Sequence, residues 1–81
     1  LKRQQVLSGK MFTVRVTVKG RPKQRENASF AAMDILDARN MSSHDTRGEA
    51  TYIITLETRP SEETLRKVKM IKYVKMVNVF P

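Results

Sequence analysis

From Phe12 the chain alternates. Phe12, Val14, Val16 and Val18 fall on one side of an extended segment, and Thr13, Arg15, Thr17 and Lys19 on the other. A period of two in β-branched residues predicts a strand with one covered and one open face. The same pattern returns downstream, with Ala50, Tyr52, Ile54 and Leu56 set against Thr51, Ile53, Thr55 and Glu57, and Pro60 ends it. Between these strands the period lengthens. Ala28, Ala31, Ala32, Ile35 and Leu36 recur at helical spacing, and Phe30 and Met33 widen the stripe. Asn27 is the predicted N-cap, because its side chain can accept from a free backbone N–H two or three residues on. Gly20 to Arg25 is read as a loop, interrupted by Gly20 and Pro22.

A short polar strand is expected over Asn40 to Asp45. Asp45-Thr46-Arg47-Gly48 then suits a type I turn, with Asp first and Gly last. Ser61 is a good N-cap for a second helix, with Glu62 and Glu63 in its first turn and Thr64 where a complete capping box would carry Glu. Leu65, Val68 and Ile71 face inward; Arg66, Lys67, Lys69 and Lys72 face outward. Residues 73 to 80 form a last strand, with Tyr73, Lys75, Val77 and Val79 on one side and Val74, Met76, Asn78 and Phe80 on the other. Apolar residues on both sides predict a strand covered twice, as by a subunit contact. Residues 1 to 10 read as a lead-in or linker hinged at Gly9.

The order β-α-β-β-α-β with right-handed crossovers predicts an α+β, ferredoxin-like domain over residues 11 to 81: a four-stranded antiparallel sheet with two helices on one face. The 81 residues suit one domain. At that size only roughly 60% of the unfolded surface is buried, so help from a partner would matter.

Charge narrows the partners. Sixteen Lys and Arg against eight Asp and Glu give a formal net charge of +8, which points to polyanions: nucleic acid, or an acidic protein or membrane surface. Lys19, Arg21, Lys23 and Arg25 alternate through the first turn as the densest positive patch. With Arg66 and Lys69 of the basic helix they are the residues expected to touch a nucleic-acid backbone or another anion. The open faces read from the sequence carry no aromatics on their central strands, so a base-stacking sheet is not expected. No cysteine is present, which removes disulfides and thiolate chemistry and allows a reducing, cytoplasmic setting. No apolar run is long enough to span a membrane. Ser42, Ser43, His44 and Asp45 hold the letters of a catalytic triad, but neighbours on a strand point to opposite faces. One histidine without cysteine makes a poor metal site. No catalytic residue, metal or cofactor is expected.

Met41-Ser42, Gly48-Glu49-Ala50, Ile54, Leu56-Glu57, Pro60 to Leu65, Ile71, Val74 and Val77 resemble the tails of ACT domains, the regulatory modules of amino-acid-metabolism enzymes such as phosphoglycerate dehydrogenases and iron–sulfur serine dehydratases. The resemblance covers residues 11 to 80. Arg21-Pro22 match the turn that follows the first strand in amino-acid-binding members, with Gly20 in place of an acid and Lys23 in place of a glycine. The resemblance implies a non-catalytic regulatory and assembly domain. It also implies homo-oligomers and an amino-acid ligand held at a subunit interface by Arg21, Pro22, Lys23, Asn27, Asn40 and Ser42. Two alternatives use the same fold: a basic module reading a nucleic-acid backbone, and a protease propeptide, whose domains are similar and end on a comparable Val-x-x-Val strand.

Overall fold

The computed structural model describes residues 11 to 81; the lead-in expected over residues 1 to 10 lies outside the described residues. Strand β1 (Phe12–Lys19) is followed by helix α1 (Pro22–Leu36), strands β2 (Met41–Thr46) and β3 (Glu49–Leu56), helix α2 (Glu62–Lys69) and strand β4 (Val74–Phe80). The strands form one antiparallel sheet in the order β2-β3-β1-β4. The ferredoxin-like α+β arrangement expected from the pattern is the one observed.

The alternation of β1 and β3 does what the period predicts. Val14, Val16, Val18, Ala50, Tyr52 and Ile54 are buried beneath the helices, together with Ala28, Ala32, Leu36 and Val68. Val14 stands opposite Ile54, and Val16 opposite Tyr52. The alanines of α1 leave no bulk between helix and sheet, so the helix packs close on β1 and β3. Burying apolar surface is worth roughly 25 cal/mol per Å², and Val14, Val16, Val18, Ile54 and Val68 are fully buried here.

Five local expectations change. The stretch Gly20 to Arg25 is not a loop: α1 already begins at Pro22, with Arg21 as N-cap residue. Pro22 at the first helical position arrives with its φ preset and has no N–H to waste. Gln24 then accepts from the Arg21 N–H through Oε1 at 2.9 Å. Asn27 therefore lies inside the helix, exposed, and caps nothing. Phe30 is 58% exposed and stands outside the stripe, while Ser29 is buried and donates its hydroxyl to the Glu26 carbonyl at 2.7 Å.

The hairpin turn falls one residue later than expected. Thr46 pairs with Glu49, so Arg47-Gly48 are the two turn residues, and Gly48 takes the positive φ of 78°. In β4 the register slips: Val18 faces Val74 but Thr17 faces Met76, which leaves Lys75 as a bulge. Val74 thus joins Val77 and Val79 on the helix side, and Lys75 and Met76 are both exposed. The poor alternation of this strand is the sequence trace of the bulge. Ser61 caps α2 as expected, accepting from Thr64 N–H at 3.1 Å, and Leu65 and Val68 are buried.

Candidate functional site

Strand order decides what shares a surface. Lys19 faces Glu49 at the end of β1, and Thr46 faces Glu49 from the other side. The β1–α1 turn, the β2–β3 hairpin and the segment joining α2 to β4 therefore meet at one end of the sheet. Hydrogen bonds knit them together. Lys19 N–H donates to the Tyr73 carbonyl at 3.0 Å, and Gly20 N–H to the Gly48 carbonyl at 3.2 Å. Arg25 donates through Nη1 to the Glu49 carbonyl at 2.9 Å and to that of Thr46 at 3.4 Å. Gln24 Nε2 donates to the Tyr73 hydroxyl at 2.7 Å.

This end gathers Lys19, Arg21 and Lys23, as the sequence anticipated, and adds three cations that the sequence does not assign to the patch: Arg47 on the hairpin, and Lys72, expected only on the outer face of the second helix, with Lys75 beside Tyr73. All six are exposed. Lys75 Nζ meets Glu49 Oε2 at 2.6 Å, the only ion pair among the described residues. Lys72 lies over the Tyr73 ring, 5.4 Å from its centroid. Arg25 is part-buried and occupied by the hairpin carbonyls, which makes it a tie between α1 and β2–β3. Lys69 closes α2 just before this end, and Arg66 lies a turn earlier on its outer face. Strand pairing, invisible in a linear reading, is what brings Arg47 beside the first turn.

The six residues implied by the family resemblance do not gather into one pocket of a single chain. Arg21, Pro22, Lys23 and Asn27 belong to the first turns of α1. Asn40 lies past its far end; a helix of 15 residues puts about 22 Å between them. Ser42 faces Ile53 on the open side of the sheet, away from the helices. An open groove of about 560 Å³ runs between α1 and β2, lined by Lys23, Ser29, Phe30, Met41, Asp45 and Tyr52 among others. A second, of about 780 Å³, lies at the opposite end beside Met11, Arg39, Asn40, Arg59 and Pro60. Ser42 and His44 take the open face, while Ser43 and Asp45 take the helix side, so these four residues do not converge.

The open face presents Thr13, Arg15, Thr17, Thr51, Ile53 and Thr55 on the central strands, with Met76, Asn78 and Phe80 on β4. Arg15 stacks its guanidinium over the Phe80 ring, 5.1 Å from the centroid. An aromatic is thus present on this face, on an edge strand. No helix is long and apolar enough to cross a membrane among the described residues.

No family model matches the chain. No curated protein matches it either. Solved structures do. An uncharacterized protein from Thermotoga maritima, TM1266, superposes with a TM-score of 0.61 at 15% identity, over 89% of this chain and 95% of that one. The C-terminal domain of the MgtC protein from Mycobacterium tuberculosis gives 0.59 at 15% identity, over 86% and 84%. A de novo designed protein, Ferredog-Diesel, gives 0.52 at 11% identity, over 90% and 86%. At these identities the likeness is one of fold: the chain has the architecture of a small ferredoxin-like domain.

Proposed function

We propose that this chain is a non-catalytic assembly and regulatory domain that pairs with a second copy of itself along the free edge of β4. The carrying observation is the run Val77-Asn78-Val79-Phe80. It is the outer edge of the sheet, carries no charge, and sets Val77 and Val79 on the helix side and Asn78 and Phe80 on the open side. Val77 and Val79 are half-buried under the helices, and Phe80 is 41% exposed on the open side. Sheet edges that remain single are usually blunted by charge, bulge or proline. Here the bulge at Lys75 guards the first half of β4, and the second half is unguarded until Pro81. The opposite edge, β2, is short and polar, and it is exposed from Ser42 to Thr46.

Edge pairing would extend two four-stranded sheets into one of eight strands and supply the partner that a small core lacks. A module of a larger protein fits this reading, as one of the similar folds is itself a C-terminal domain. The effector-binding role of Arg21, Asn40 and Ser42 rests on the family resemblance alone, and the assembly reading stands without it. Sedimentation velocity over a concentration series tests it. A dimer that dissociates on dilution is expected, and Phe80→Lys, which adds an edge charge at an exposed position, should shift it toward monomer. A species that stays monomeric at the highest concentration contradicts it.

A further inference from the structure

The basic end has a property that local stability does not explain. α1 carries no acid in its first turn and no base in its last. Lys23 and Arg25 stand at the positive end of the helix dipole, and Asp34 and Asp37 at its negative end. Each exposed charge placed this way is mildly unfavourable. Nearby, Lys19, Arg21, Lys23, Arg47 and Lys72 have no carboxylate partner among the described residues, and residues 1 to 10 contain no Asp or Glu to supply one. Three turns tied to one another by hydrogen bonds hold five unpaired cations against their mutual repulsion. Places where local rules are broken together are where function is expected.

We propose that this end is a binding surface for nucleic acid, gripped through its phosphodiester backbone by Lys19, Arg21, Lys23, Arg47 and Lys72. The chemistry of the surface selects this occupant. A protein partner would need an apolar centre with few lysines. Here the exposed large apolar residues near the cations are Met70 in the α2–β4 segment and Met76 just past the Lys75 bulge, and neither of the other two turns contributes one. A lipid surface would need apolar side chains to insert between headgroups, and two separate methionines are a thin anchor. The cations instead lead, through Lys19 and Lys75, onto a face whose central strands carry Thr13, Arg15, Thr17, Thr51 and Thr55 around Ile53, with Met76, Asn78 and Phe80 on β4. Arg, Lys, Thr and Asn are the side chains that contact phosphate and sugar. Pairing along the β4 edge would leave this end of the sheet open.

Fluorescence anisotropy of a labelled single-stranded oligonucleotide, titrated at several salt concentrations, tests it. Five phosphate contacts predict a slope of log K against log salt of about −3.5, so affinity should fall about 100-fold between ~50 and ~200 mM salt. Lys23→Glu and Arg47→Glu should each weaken binding and flatten the slope by ~0.7 or more. Arg59→Glu, at the opposite end, should leave both unchanged. Circular dichroism of each variant separates lost binding from lost fold. No binding at low salt, a flat salt response, or an Arg59→Glu variant as impaired as Lys23→Glu overturns the proposal. So does tighter binding to phosphatidylserine vesicles than to the oligonucleotide at the same salt.

Discussion

Gln24 and Tyr73 lie 49 positions apart and share a hydrogen bond of 2.7 Å, from the Gln24 side-chain amide to the Tyr73 hydroxyl. The other end of the same amide accepts from the Arg21 N–H. One side chain thus caps α1 and fastens it to the start of β4. Tyr73 adopts a φ of 78°, which is costly for an aromatic residue and is sustained only by surroundings that fix it. Tyr73→Phe should cost about 0.5–1.5 kcal/mol, the worth of one hydrogen bond. Gln24→Ala should cost more, since it removes two bonds. Urea denaturation of both, with the double variant, measures their coupling.

The two turn glycines should respond differently to alanine. Gly20 has a φ of 115°, and a Cβ there would lie 2.8 Å from Gln24 Oε1. Gly48 has a φ of 78° and nothing within 4 Å. Gly48→Ala should therefore cost only the left-handed penalty, about 1–2 kcal/mol. Gly20→Ala adds displacement of Gln24 and should cost more. Equal losses in chemical denaturation would mean that the Gln24 clasp is unimportant.

Lys23→Glu should separate stability from binding. Reversing the charge in the first turn of α1 improves the fit to the helix dipole and should raise stability by ~0.3–1 kcal/mol at low salt. The same change should weaken oligonucleotide binding. A thermal melt beside the anisotropy titration reads both; a fall in stability would show that Lys23 serves the fold.

Ser61→Ala removes the acceptor for Thr64 N–H and should destabilise the domain by about 1 kcal/mol. Ile54→Ala opens a cavity at a fully buried site and should cost about 2–5 kcal/mol, enough to unfold much of so small a domain. Thermal unfolding should rank the two in that order.

The fold was legible because its signals are periodic and local. β1 and β3 alternate cleanly, and Ser61-Glu62-Glu63 announces α2. The start of α1 was hidden because Gly20 and Pro22 read equally as loop residues and as a turn followed by a helical first position. What decided between them was Gln24, the third-position residue of a capping box whose N-cap position carries Arg21 in place of the usual Ser or Thr. Phe30 followed the helical stripe on a helix face that the sheet does not cover. The bulge at Lys75 could not be placed from the sequence, since it depends on which β1 residue faces Val74. The site was half legible for the same reason. Lys19 to Lys23 form a run, while Arg47 and Lys72 join them only through strand pairing and the Lys19–Tyr73 bond.

Sedimentation equilibrium of the unmodified chain and of Phe80→Lys across a wide concentration range reads pairing along β4 itself. Reversible dimerisation of the former, weakened at least tenfold in the latter, is the predicted result. Monomer throughout, or a dimer indifferent to Phe80→Lys, would contradict pairing along β4.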